Sequence, residues 1–169
     1  MGESKNSQSK FPQIIWKACN LCMSFFFALA TYVQVNDPDA AIWMVGYGVP
    51  AILCFLIGLK ADVTETLPWR RLANLHVLIS SAVVSLLGWT LYKERITNIF
   101  QREEGREFSG LLLTVVWLLL CRHSGRSDVG VGRLFPAVAI TVFPIVSWLY
   151  YYINKDLRSS WPSHCNTAI

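Results

Sequence analysis

Five long apolar stretches, separated by short polar links, constrain this chain more than anything else in it. They cover residues 14–35, 40–59, 72–92, 108–121 and 134–153. A helix needs about 20 predominantly apolar residues to cross the hydrocarbon core of a bilayer, and all but the fourth run supply that. Lipid offers the backbone no water to bond, so a crossing run has to close its own hydrogen bonds as a helix. The pattern predicts an all-α integral membrane protein, a bundle of about five transmembrane helices with one interfacial amphipathic segment. Residues 1–13 read as a disordered polar lead, 14–153 as the helical domain and 154–169 as a polar tail.

Composition supports this. Charged residues make up 15% of the chain, against about 25% in soluble domains, and nearly all of them lie in the links. The net charge of +4 is scattered, so a nucleic-acid partner has no basic stripe to bind. The partner that composition does demand is the lipid bilayer. Five cysteines are present, four of them in or beside apolar runs, which is not the pattern of a secreted disulfide framework. Cys19 and Cys22 form a C-x-x-C. A thiolate is poorly solvated inside such a run, so the pair is read as buried, inert thiols. No cofactor or metal motif appears.

The fourth run is short. Its 14 residues span about 21 Å, less than a core about 30 Å thick. Either the helix starts earlier, near Glu103 or Glu104, giving a span of 104–121, or the bilayer thins locally. Between runs three and four, the link 93–107 carries Ile96, Ile99 and Phe100 at helical spacing. It reads as an amphipathic helix lying at the interface or as an extension of run three. Trp16 with Lys17, and Trp69 with Arg70 and Arg71, read as interfacial anchors.

Parity of crossing sorts the links. With five spans, residues 36–39, the link 93–107 and the tail share one side, and the N-terminus shares the other with links 60–71 and 122–133. Nine of the 15 Lys and Arg fall on the N-terminal side and six on the other. The positive-inside rule then favours a cytosolic N-terminus.

Two polar motifs meet on the side away from the N-terminus. In Asn36-Asp37-Pro38-Asp39, Asp37 suits a helix cap, Pro38 the first helical position and Asp39 the positive end of the helix dipole. The same two carboxylates, with the amides of Gln34 and Asn36, also make an oxygen cluster able to hold a cation or a polar group. In Glu103-Glu104-Gly105-Arg106-Glu107, intrahelical ion pairs at a solvated helix start account for the charges. Alternatively, charges drawn below the headgroups must pair inside the bundle, which would set Arg106 against Asp37 or Asp39. Gly105 and Ser109 have the small-xxx-small spacing of close helix contacts. The candidate cluster is therefore Gln34, Asn36, Asp37, Asp39, Glu103, Glu104, Arg106 and Glu107. His76 is a lone intramembrane histidine without a second ligand, and is read as a hydrogen-bonded core or interfacial residue. No catalytic constellation is present.

These residues also carry a resemblance. Gln34-x-Asn36-Asp37-Pro38-Asp39 with Trp43, then Glu103-Glu104-Gly105-Arg106-Glu107-x-Ser109-Gly110, then Ile153-Asn154-Lys155 leading to Arg158-Ser159-Ser160-Trp161-Pro162-x-His164-Cys165, resemble the transmembrane protein 220 family from about Trp16 onward. That resemblance implies a small multi-pass membrane protein. It brings no activity, ligand or catalytic residue with it. The expected function is a non-enzymatic membrane component binding a protein or lipid partner, or a second copy of itself. The alternative is a small transporter or ion-binding protein using the polar cluster.

Overall fold

The computed structural model describes residues 3–94, 103–122, 124 and 131–154, with backbone alone at 3–10, 103, 131 and 151. Five helices follow in order: α1 Glu3–Val33, α2 Ala40–Leu59, α3 Leu67–Lys93, α4 Glu103–Cys121 and α5 Val131–Ile153. No strand occurs among the described residues. Residues 95–102, where the interfacial segment is expected, and residues 155–169 of the tail lie outside the described residues.

Four stretches are long and apolar enough to cross a membrane: Phe11–Asn36, Ala40–Leu59, Leu67–Lys93 and Gly132–Tyr150. The outer faces fit that environment. Phe25, Leu75, Leu78, Leu86 and Phe143 are all exposed, which in water would be a continuous apolar surface of the kind soluble monomers avoid. α4 falls short on composition because its charges lie in its first turns. Its contacts nevertheless run the length of the bundle. Near its start Phe108 lies against Gly88 of α3, and near its end Trp117 stacks on Trp16 of α1, ring centroids 6.2 Å apart.

The helices alternate in direction. α1 and α2 form the most extensive pair, an antiparallel hairpin. A Cβ on Gly58 would collide with the Leu21 side chain, whereas one on Gly48 would sit at ordinary contact distance, 3.8 Å, from Thr31, so Gly58 marks the closest approach of the two. α4 packs chiefly on α3, and α5 chiefly on α1. Lipid tails are as apolar as leucine, so burial among helices gains little from the hydrophobic effect; shape and hydrogen bonds hold the bundle. The fully buried centre is Trp16, Met23 and Phe27 of α1, Leu53, Cys54 and Ile57 of α2, and Trp117, Leu118 and Cys121 of α4.

Several hydroxyls inside the bundle find carbonyls, which lipid cannot replace. Thr31, Thr114 and Thr141 bond back one turn to Phe27, Gly110 and Ala137 at 2.8–3.0 Å. Ser24 bonds across the hairpin to the Ala51 carbonyl at 2.8 Å. Pro50, buried inside α2, has no N–H and so leaves the Gly46 carbonyl one turn earlier without its helical donor. His76 of α3 is buried on the face turned to that part of α2, and its Nε2 is a buried nitrogen without a hydrogen-bond partner among the described residues.

Several sequence expectations change. α1 is helical from Glu3, not from residue 14: once a helix is nucleated, each added residue gains a hydrogen bond, and the polar lead extends the apolar run. Trp16 and Trp69 are not interfacial anchors. Trp16 is 0% exposed against Trp117, and Trp69 is buried with its indole N–H donated to the Leu53 carbonyl at 3.3 Å. Interfacial aromatics lie at the other end, where Lys93 sits 5.7 Å over the exposed Trp89 ring and exposed Trp148 stacks on Tyr152. Cys19 is buried facing the Thr141 hydroxyl, but Cys22 is exposed on the outer face, since three residues turn a helix by about 300°.

Candidate functional site

The site is built where the turn between α1 and α2 meets the start of α4. α1 tightens into a short 3₁₀ turn, Gln34–Asn36, closed by the Asp37 amide donating to the Gln34 carbonyl at 3.1 Å. Asp37 turns the chain extended, its carbonyl accepts the Ala40 amide at 3.2 Å, and α2 begins at Ala40. The cap position therefore belongs to Asp39, two residues later than the sequence suggests, and Pro38 precedes the helix. The cause is the extra 3₁₀ turn, which uses up residues that a direct α-to-α junction would have placed in α2.

Asp39 does not cap with its side chain. Its carboxylate instead accepts the Trp43 indole N–H at 2.7 Å, one turn along the same helix. Trp43 stacks on Tyr47, another turn on, with ring centroids 6.3 Å apart and planes at 25°. The Tyr47 phenol reaches α4: a Cβ on Gly110 would collide with its hydroxyl and lie 3.0 Å from Cζ. Glu107, one turn earlier on α4, is close enough to act electrostatically on the same phenol. Asp39, Trp43 and Tyr47 thus form one ladder that crosses from the exposed turn into the bundle and out to Gly110 of α4. Trp43 and Tyr47 are buried, whereas Asp39 and Asn36 are exposed and Gln34, Asp37, Glu104, Arg106 and Glu107 half-buried.

This arrangement links the turn 36–39 to α4. Asp39 meets Trp43, one turn along its own helix. Ser109 bonds back to the Gly105 carbonyl at 2.8 Å, and the close approach on α4 falls one residue later, at Gly110. Glu103 is placed by backbone only, at the start of α4. The third motif, from Lys155 to Cys165, lies outside the described residues. Among the described residues no group of three or more His, Cys, Asp or Glu side chains is placed to hold a metal ion.

The ladder residues Trp43 and Tyr47 escape a reading based on charge. Their spacing was nevertheless visible: Asp39, Trp43 and Tyr47 recur every four residues and so share one helix face. A second omission is Asn20, fully buried in the middle of the first apolar run. Its amide N–H₂ donates to the Trp16 carbonyl at 2.9 Å, and its oxygen accepts the Cys121 thiol of α4 at 3.3 Å. An uncharged amide inside an apolar run is the signal that marks it.

Around the ladder the bundle end is acidic. Asp37, Asp39, Glu94, Glu103, Glu104 and Glu107 lie there against Lys93 and Arg106 among the described residues. A carboxylate oriented on a rigid aromatic support can hold a cationic group.

A family model described as "Transmembrane family 220, helix" matches residues 26–123, a range that includes both polar motifs and the whole ladder. A Xenopus laevis protein named Transmembrane protein 220 is 45% identical over 157 residues, covering 93% of this chain and 85% of that protein. No solved structure matches the chain. With the helical bundle and the matched motifs in place, the chain belongs to the transmembrane protein 220 family.

Proposed function

We propose that this protein is a non-enzymatic membrane component that engages a protein or lipid partner through its acidic end. The observation that carries this is the Asp39–Trp43–Tyr47 ladder, which fixes a carboxylate at the exposed turn and ties it, at Gly110, to a second helix. A pre-oriented carboxylate loses little freedom when a cationic group docks, which favours recognition. The proposal places the N-terminus in the cytosol, from the excess of Lys and Arg on that side, and the acidic end on the opposite face.

The test neutralises Asp37 and Asp39 as asparagine in the full chain. Membrane abundance and photo-crosslinking from position 36 are read in the same cells. Normal abundance with loss of the crosslinked species supports the proposal. Loss of abundance assigns the cluster to folding alone. Normal abundance with altered solute or metal uptake transfers the site to transport. Cysteine reporters at positions 39 and 103 should label together and opposite to one at the N-terminus; labelling on the same side refutes the topology.

A further inference from the structure

The opposite end of the bundle carries a charge arrangement of its own. Two contacts and two neighbouring charges bring the first half of α1, the α2–α3 link, the end of α4 and the start of α5 to one end. Trp16 stacks on Trp117, Cys121 bonds Asn20, Arg133 lies near Cys121, and Lys17 acts on Asp62. That end holds Lys17, Lys60, Arg70, Arg71, Arg122 and Arg133, against Asp62 and Glu65 among the described side chains. Asp62 is already paired with Lys60 at 3.2 Å.

The placement of these cations is set by the core. Lys17 follows Trp16, which is stacked and fully buried. Arg70 and Arg71 follow Trp69, whose indole is bonded to the Leu53 carbonyl of α2. Arg122 follows Cys121, whose thiol is bonded to Asn20 of α1. Three core contacts on three helices are thus each followed directly by a basic residue. Arg71 and Arg122 are exposed, and the Lys60 side chain is 75% exposed. In a bilayer crossed by these helices, cations at this end would meet the headgroups of one leaflet and the acidic end those of the other.

We infer that this basic rim is a binding surface for anionic phospholipid headgroups, and that the protein gathers such lipids around its N-terminal end. Each cation near an anionic surface contributes about 1 kcal/mol, roughly a fivefold preference, and the contribution is screened by salt. The guanidinium groups suit phosphate oxygens, which they can hold in pairs. The acidic end offers no such attraction, so the inference is independent of what docks on the ladder.

The test uses the full chain reconstituted in mixed vesicles of phosphatidylcholine and phosphatidylserine. Spin-labelled lipids of each kind report the motionally restricted fraction at the protein surface. At low salt the wild type should prefer phosphatidylserine by more than about threefold. The preference should fall towards one in an Arg70→Gln, Arg71→Gln, Arg122→Gln variant, and should persist in Asp37→Asn, Asp39→Asn. Should the arginine variant fail to fold, a salt titration of the wild type decides: the preference must decline as ionic strength rises. Parity between the two lipids in the wild type overturns the inference. So does a preference that survives in a folded arginine variant, or one indifferent to salt.

Discussion

Gly110→Ala drives a methyl group into the Tyr47 ring. The new Cβ would collide with the phenol oxygen and lie 3.0 and 3.1 Å from Cζ and Cε1. Tyr47 is buried and stacked on Trp43, so its ring has nowhere to swing without disturbing the stack. Overpacking of this kind costs about 1–3 kcal/mol. Tyr47→Phe removes the nearest atom and keeps the ring. Alone it costs less than about 1 kcal/mol, and combined with Gly110→Ala it recovers about 1 kcal/mol, because the two ring carbons still crowd the methyl. The control is Gly132→Ala, where no atom lies within 4 Å of the added carbon and the change is neutral or slightly stabilising. The assay is reversible unfolding in mixed micelles with increasing dodecyl sulfate, followed by far-ultraviolet circular dichroism. A Gly110→Ala cost below about 0.5 kcal/mol, or strict additivity in the double variant, refutes the claim that this contact couples α2 to α4.

Two further outcomes follow from the same geometry. Asn20→Leu shifts stability by less than about 1 kcal/mol, because a thiol is a weak donor and the Trp16 carbonyl keeps its helical bond; a loss of several kcal/mol in the same unfolding assay would show that the amide has a stronger partner. Asp62 titrates below its ordinary value of 3.8, held down first by its own backbone amide and then by Lys60. A carboxylate lowered in this way stabilises the fold above its unfolded value and loses that contribution as pH falls through the folded one. A carbon-13 titration of the Asp62 carboxyl should therefore move up towards 3.8 in Lys60→Gln, and an unchanged midpoint argues against the pairing.

What the sequence by itself determined is the part of the architecture that a bilayer imposes. Runs of about 20 apolar residues become helices wherever no water is available to the backbone. The runs 40–59 and 134–153 and the helices α2 and α5 agree within a few residues for that reason. The two polar motifs stood out because charges beside apolar runs are costly and so conspicuous. Tertiary structure decided which groups meet. In a soluble helix the buried face is apolar and the outer face polar, so periodicity reports rotation about the axis. In lipid both faces are apolar, and that signal fades. Trp16, read as an anchor, is at the centre of the core, whereas Trp148, equally apolar in context, is outside. Asp39 turns to Trp43 because a 3₁₀ turn shifts the start of α2, and Tyr47 reaches Gly110 because that position has no side chain to hold α4 away. Each of these depends on how two helices are rotated and set in depth against each other, and only their packing supplies that.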